Sequence, residues 1–167
     1  IRSSAASDVY KRQIYNTSLS VSPVTTHIKL KSVANKISKK KIVYKITSIN
    51  NFFKKKLKKT AKIGVLGLNP HNDELKNNSE EKKIIIPAIK LLKKRGVLVY
   101  GPISPDTAFI NYKNKGINIL VGMYHDQVLT PFKAIFKFNA INITAGLPFV
   151  RVSPDHGVGI DLSLIHI

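Results

Sequence analysis

The sequence has no cysteine and no long apolar run. The lack of cysteine excludes disulfides, thiolate metal sites and cysteine nucleophiles. No apolar run approaches the roughly 18 to 20 residues that a membrane-spanning helix needs, and residues 1–13 lack the charged-then-apolar layout of a secretory signal. With 167 residues of which 43% are apolar, we expect a cytoplasmic chain with no membrane partner that forms one domain or a piece of a larger one.

Acidic residues are also scarce, with nine against 28 basic residues and a formal charge of +19. Such a charge raises nucleic acid as a partner. However, only four of the basic residues are arginines and the other 24 are lysines, whereas phosphate and base-edge recognition favours the arginine fork. The lysines are not interleaved with aromatic residues for base stacking. We expect no nucleic-acid partner, and a basic nucleic-acid-binding module remains the alternative from another class.

The apolar pattern predicts alternating strands and helices. Buried strands are predicted over residues 62–68, 97–100, 116–122 and 139–144, with an edge or terminal strand over 19–26, which contains a proline. Helices are predicted over residues 30–37, 41–58, 79–94 and 107–115, with a short helix or turn over 131–137. The alternation indicates an α/β fold with a mainly parallel sheet and flanking helices.

The two ends of the chain do not fit this pattern. Residues 1–12 have no convincing period, and residues 162–167 form an abrupt apolar tail. We interpret residues 1–13 and 162–167 as non-native ends and residues 14–161 as the folded portion. His166 is excluded with them.

A histidine, a carboxylate and a carboxamide stand together in the segment MYHDQ, residues 123–127, directly after a predicted buried strand. In parallel α/β sheets, ligands bind in the crevice beyond the carboxyl ends of the strands. The segment is therefore a candidate site. The structural alternative is a loop histidine that caps the following helix.

Three histidines share this position, because His27, His71 and His125 each lie just past the end of a predicted strand. Parallel strands bring their carboxyl ends to one edge of the sheet, so these side chains can converge within one subunit or across a two-fold interface. Three neutral imidazoles with an open position suit zinc or another borderline divalent cation. Three independent loop histidines are the alternative.

Further polar side chains are predicted at the same edge: Asp106, Asp126, Lys133, Asn142 and Arg151. An arginine there can clamp a carboxylate or phosphate through two hydrogen bonds, and a lysine can contact an anion or carry a proton. The sequence has no Walker loop and no G-x-G-x-x-G dinucleotide fingerprint. It has no G-x-S-x-G nucleophile elbow either.

Several motifs together resemble the 4-hydroxythreonine-4-phosphate dehydrogenase family of vitamin B6 biosynthesis. They are PVTTH (23–27), LGLNPH (66–71), EEKKIIIPAI (80–89), GPISPDT (101–107), MYHDQ (123–127), PFK (131–133) and NIT-GLPFVR-SPDHG (142–157). The resemblance covers residues 14–161 and about the second half of that enzyme. Two departures stand out: the loop after His71 lacks the family's glycines, and Val128 replaces a glycine.

The resemblance implies an incomplete isocitrate/isopropylmalate-dehydrogenase-like fold and a homodimer with a shared active site. It implies a divalent metal (zinc, magnesium or cobalt) held by histidines from both subunits, at positions that match His27, His71 and His125. The family's substrate contacts match Lys133, Asn142 and Arg151. Asp106 and Asp126 match acidic positions that face the site, and with Lys133 they are the candidates for proton transfer.

The implied reaction is the NAD-dependent oxidation of 4-phosphooxy-L-threonine at its C3 hydroxyl, followed by metal-assisted decarboxylation to 3-amino-2-oxopropyl phosphate. The alternative within the family is a paralogue that acts on another phosphorylated hydroxy acid. The half that is absent here supplies further substrate and cofactor contacts in the family. We therefore expect this portion alone to be inactive.

Overall fold

A seven-stranded mixed sheet forms the centre of the computed structural model, which describes residues 11–137, 139–145 and 151–154. The strands are β1 (Lys11–Tyr15), β2 (Ser20–Pro23), β3 (Ile63–Leu66), β4 (Val99–Ile103), β5 (Ile119–Gly122), β6 (Ile141–Ala145) and β7 (Arg151–Pro154). Their spatial order is β4-β3-β5-β2-β1-β6-β7.

One half of the sheet is parallel and carries the three strands that precede the candidate histidines. Strands β4, β3, β5 and β2 pair in parallel, whereas β1 is antiparallel to β2 and β6, and β6 is antiparallel to β7. Because β3, β5 and β2 are neighbours, their carboxyl ends lie side by side at a spacing of about 4.8 Å. The predicted α/β architecture is confirmed, and the sheet is mixed.

Five α-helices flank the sheet in the described part of the chain. They are α1 (Val33–Lys36), α2 (Lys39–Phe52), α3 (Ile86–Lys94), α4 (Pro105–Asn111) and α5 (His125–Phe136). A 3-10 turn (Leu30–Ser32) leads into α1, and π-helical turns follow α2 (Phe53–Leu57) and precede α3 (Glu81–Ile85). Ser38 caps α2 by accepting a hydrogen bond from the Lys41 N–H, and Gly96, with φ of +73°, follows α3.

The helices cover both faces of the sheet and create two apolar cores. Val65 and Val121 contribute to one core, with the buried residues of α2 and α3. Leu66 and Leu120 contribute to the other, with those of α4 and α5. Successive strand residues point to opposite faces, so strands that are covered on both sides must be apolar throughout. This requirement explains the short unbroken apolar runs.

The structure differs from the sequence-based expectations at several strands and one helix. Strand β2 is expected as an edge or terminal strand but lies between β5 and β1. This is possible because Pro23 is its last residue, so its missing N–H removes no hydrogen bond within the strand. Strand β4 extends through the predicted loop at Gly101. Strand β1 includes residues 11–13, and their non-native origin stays a prediction. Helix α5 begins at His125 and not at residue 131, so the MYHDQ segment leads directly into a helix.

No helix in the described ranges is long and apolar enough to cross a membrane.

The burial of α3 generates a stability prediction. Leu92 is fully buried in the core between α3 and the sheet, whereas Lys90 on the same helix is exposed. Leu92→Ala should reduce the free energy of unfolding by about 2–5 kcal/mol, through lost burial and the cavity that remains. Lys90→Ala should change it by no more than about 0.5 kcal/mol. Urea unfolding followed by circular dichroism measures both, and equal losses would contradict this packing.

Candidate active site

Two of the three candidate histidines lie together beyond the parallel half of the sheet. His27 follows β2, and His125 begins α5 three residues after the last residue of β5, the neighbouring strand. The centroids of their rings are 5.6 Å apart. The sequence-based prediction that parallel strands bring these side chains to one edge agrees with this placement.

A carboxylate orients the His125 ring. The Nδ1 atom of His125 lies 2.7 Å from Oδ1 of Asp126. Because an ionised carboxylate only accepts hydrogen bonds, Nδ1 carries the proton in this contact, and in a neutral imidazole the lone pair on Nε2 is then available for binding. A carboxylate that holds one imidazole nitrogen while the other is left to bind is the usual arrangement around metal-ligating histidines. Asp126 is therefore placed to orient His125.

His71 lies in a turn of unusual backbone conformation. Residues 71–75 all have φ between +47° and +57°, and none is a glycine. Left-handed backbone costs roughly 1–2 kcal/mol per residue outside glycine, although Asn72 and Asp73 belong to the types that tolerate it best. The Asn72 side chain occupies the position that a Cβ at Gly67 would take. A larger residue at position 67 would therefore force the Asn72 side chain to move.

A small cavity separates His71 from α4. It has a volume of about 200 Å³, and its walls include Leu68, Pro70, His71, Pro105, Asp106 and Tyr124. The pKa of the Asp106 carboxyl is below its ordinary value, chiefly because of the nearby Ser104 hydroxyl, with smaller contributions from the Thr107 N–H and from the positive charge that His71 carries when it is protonated. Asp106 is thus an ionised carboxylate at neutral pH beside His71.

A chain of buried hydrogen bonds connects the three histidine-bearing loops. Thr25 donates to the Met123 carbonyl through both its hydroxyl (2.7 Å) and its backbone N–H (3.1 Å). The Met123 N–H donates to Oε1 of Gln127 (2.6 Å), and Nε2 of Gln127 donates to the Gly67 carbonyl (2.7 Å). These contacts join the ends of β2, β5 and β3 in their spatial order.

A buried carboxylate extends the chain to the loop that carries His71. Glu81 is fully buried, and its Oε1 accepts hydrogen bonds from the backbone N–H groups of Leu68 and Asn69, both at 2.8 Å. The Asn69 carboxamide also donates to Oε2 of Glu81 (3.1 Å) and to Glu80 (2.9 Å). The first turn of the helical segment before α3 therefore fixes the backbone of Leu68 and Asn69, which leads to His71.

The histidines do not complete a metal site within one copy of the chain. Within the described ranges, no group of three histidine, aspartate or glutamate residues is close enough to hold a metal ion. His27 and His125 form a pair, whereas His71 lies beside Asp106. The assignment of all three as metal ligands stays a prediction.

The expected substrate contacts lie apart from the histidine pair. Lys133 is half-buried on α5, eight residues and therefore roughly 12 Å along the helix axis from His125. Asn142 was expected at the sheet edge, but it lies within β6, paired with Ile14 at the level of Val21. Its Oδ1 atom is buried, with no hydrogen-bond partner among the described residues. Arg151 begins β7, and only its backbone belongs to the described part of the chain. Their roles stay predictions.

Several residues that organise the site carry no distinguishing signal in the sequence. Gln127 stands beside His125 in the MYHDQ segment, Glu81 lies within the helix predicted over 79–94, and Thr25 lies within the strand predicted over 19–26. A glutamine two positions after a histidine, or an acidic residue at the start of a helix, is common at positions with no special role. The sequence pattern alone therefore could not identify Gln127 or Glu81 as organising residues.

Comparisons with known proteins agree on one family. The family model described as "Pyridoxal phosphate biosynthetic protein PdxA" matches residues 3–165. The chain is 49% identical over 147 residues to a 4-hydroxythreonine-4-phosphate dehydrogenase of Sulfurihydrogenibium sp., covering 87% of this chain and 45% of that protein. It is 36% identical to a D-threonate 4-phosphate dehydrogenase of Pectobacterium atrosepticum, covering 92% of this chain and 48% of that protein.

A solved structure gives the same result for the fold. The chain superposes with a TM-score of 0.80 and 36% identity on the 4-hydroxythreonine-4-phosphate dehydrogenase of Klebsiella pneumoniae, covering 92% of this chain and 46% of that one. The chain therefore spans about half the length of the relatives it matches.

The buried carboxylate of Glu81 generates a prediction. Glu81→Gln keeps the size of the side chain but turns one oxygen into an N–H donor that faces other donors. We expect a loss of about 1–3 kcal/mol in the free energy of unfolding. Glu80→Gln removes a carboxylate that receives only the Asn69 side chain and should cost less. Urea unfolding of both variants measures the difference, and a larger loss for Glu80→Gln would contradict the role of Glu81.

Proposed function

The chain belongs to the PdxA family, and we propose that it is the C-terminal portion of an NAD-dependent dehydrogenase of 4-phosphooxy-L-threonine. In this reaction the C3 hydroxyl is oxidised, and the resulting β-keto acid loses CO2 to give 3-amino-2-oxopropyl phosphate. The observation that carries the proposal is the 49% identity to a 4-hydroxythreonine-4-phosphate dehydrogenase in a chain whose histidine-bearing loops meet at one sheet edge.

The donor set fits a divalent cation. His27 and His125 have adjacent rings, and the Asp126 carboxylate holds His125 with Nε2 free to bind. We propose His71 as the third ligand. Neutral imidazoles suit zinc or cobalt, and magnesium is a weaker fit because it prefers oxygen ligands. When bound, such a cation lowers the pKa of the substrate hydroxyl and stabilises the negative charge that develops as CO2 leaves.

Three side chains of this chain are proposed to move or hold the proton. Asp106, ionised and beside His71, can accept the proton of the substrate hydroxyl. Asp126 keeps the His125 ring oriented. Lys133 is the alternative base, or a contact for the substrate's phosphate. NAD would serve as the hydride acceptor when bound. Because the sequence has no G-x-G-x-x-G fingerprint, we do not expect a Rossmann phosphate loop to hold it.

A homodimer with a shared active site is part of the proposal. Within one copy, Lys133 and Asn142 lie away from the histidine pair, and no complete metal site forms among the described residues. A second copy placed across a two-fold axis can supply the missing ligand and the missing substrate contacts. The buried Oδ1 of Asn142, which has no partner within the described ranges, supports a polar ligand there, and Arg151 is proposed to bind an anionic end of the substrate.

A paralogous activity is the second candidate. Relatives named D-threonate 4-phosphate dehydrogenase are 36% identical over nearly the same span, so this portion of the chain is compatible with both substrates. The two substrates share the phosphate and the hydroxyl to be oxidised, but only 4-phosphooxy-L-threonine carries an amino group. A basic nucleic-acid-binding module, the alternative from another class, predicts affinity for DNA or RNA that falls steeply with salt.

The decisive assay uses the full-length protein of the source gene. NADH formation is measured with 4-phosphooxy-L-threonine and with D-threonate 4-phosphate, each with and without chelator. We expect turnover of the first substrate, loss of turnover with chelator, and a decrease of at least about 100-fold in His125→Ala. Lys90→Ala, on the exposed side of α3, is the control and should keep full activity.

Each contrary outcome is informative. Turnover of D-threonate 4-phosphate alone would show that the protein is the paralogous enzyme. Turnover that is unchanged by chelator and by His125→Ala would contradict the proposed metal requirement.

A further inference from the structure

One buried carboxamide connects the turn that carries His125 to the strand that leads to His71. Gln127 is 9% exposed. Its Oε1 accepts from the Met123 N–H at 2.6 Å, and its Nε2 donates to the Gly67 carbonyl at 2.7 Å. Met123 directly follows β5, and Gly67 directly follows β3, so this side chain bridges the carboxyl ends of two parallel strands.

The pairing is specific to a carboxamide. The two backbone groups are one donor and one acceptor, and a neutral carboxamide offers one acceptor and one donor in return. Met123 and Gly67 are buried, so an apolar replacement at position 127 would leave a backbone N–H and a carbonyl unpaired away from water. The glycine at position 122 leaves room for this carboxamide, since a Cβ there would lie 2.8 Å from Oε1 of Gln127.

Both ends of the bridge lead directly to candidate ligands. Gln127 lies two residues after His125, and Gly67 lies four residues before His71. The Met123 carbonyl also receives two hydrogen bonds from Thr25, two residues before His27. The turn containing His71 has left-handed backbone throughout and is thus strained, so its conformation depends on contacts such as this one.

We infer that Gln127 is a positioning residue: its carboxamide holds the His125 turn and the His71 loop in one fixed relation. The use of these histidines as ligands rests on the proposed function, whereas the coupling between the two loops does not. Gln127 itself binds no metal in this account, and it acts through the backbone on either side.

The chain contains a matched control at the opposite end of the same two strands. Asn118 lies just before β5, and its Oδ1 accepts from the Lys62 N–H while its Nδ2 donates to the Thr60 carbonyl, both at 2.9 Å. This carboxamide also bridges to the backbone next to β3. It is far from the histidines, because it lies at the amino ends of the strands. Asn118→Leu therefore removes the same kind of bridge without touching the candidate site.

The test compares Gln127→Met with Asn118→Leu in the full-length protein. Hydrogen–deuterium exchange reports the mobility of residues 67–75, and titration with Co²⁺ alone reports the metal site through its visible absorption. We expect Gln127→Met to speed exchange in residues 67–75 and to weaken Co²⁺ binding, each by about tenfold or more. Asn118→Leu should leave both within about twofold. Gln127→Asn, which is one methylene too short to span both partners, should resemble Gln127→Met and serves if that variant does not fold.

The outcomes separate this inference from the proposed function. If the unaltered protein binds no Co²⁺ but exchange in residues 67–75 increases only in the Gln127 variants, the coupling stands and the metal proposal fails. If both Gln127 variants leave that exchange as slow as Asn118→Leu does, the positioning role is overturned, whatever the metal titration shows.

Discussion

The hydrogen bonds around the Met123 peptide and the Gln127 carboxamide are the constraint on which the candidate site depends. A parallel sheet brings the carboxyl ends of its strands to one edge, but the loops beyond those ends are free to diverge. Here Thr25, Met123, Gln127 and Gly67 are joined by buried hydrogen bonds of 2.6 to 3.1 Å. The three histidine-bearing loops therefore start from a common, rigid base.

The rest of the fold supports this base in two ways. The apolar cores on both faces of the sheet exclude water from the hydrogen bonds, and buried polar groups that lose their partners are costly in such surroundings. Glu81 adds a second anchor, because it accepts the backbone N–H groups of Leu68 and Asn69 and thereby directs the chain from β3 towards His71. Stability and site geometry are thus linked through the same buried groups.

Sequence reasoning predicted the architecture and the histidine edge because both follow from short-range patterns. Apolar runs marked β3 and β5, and the alternation with helices predicted a parallel sheet. The proline in β2 favoured an edge or terminal strand, because the pattern does not show that this proline ends the strand. Asn142 was expected at the edge with the histidines, whereas strand pairing puts it within β6 at the level of Ile14. Neither the order of strands nor the depth of a residue within its strand is encoded locally.

The buried bridges could not be predicted for a related reason. Gln127 and Glu81 form hydrogen bonds with backbone groups that are 60 and 13 residues away in sequence. The residues next to Gln127 and Glu81 in sequence give no indication of these partners. The motif resemblance identified which histidines to examine. The structure then showed that His27 and His125 are adjacent, whereas His71 lies beside Asp106.

Anomalous X-ray scattering from zinc in crystals of the full-length protein would locate the proposed metal site. We expect one zinc peak per protomer at about 2.0–2.1 Å from imidazole nitrogens of His27, His71 and His125, with at least one of these histidines supplied by the second copy. Zinc bound elsewhere, with the His27 and His125 rings left without metal, would contradict this proposal.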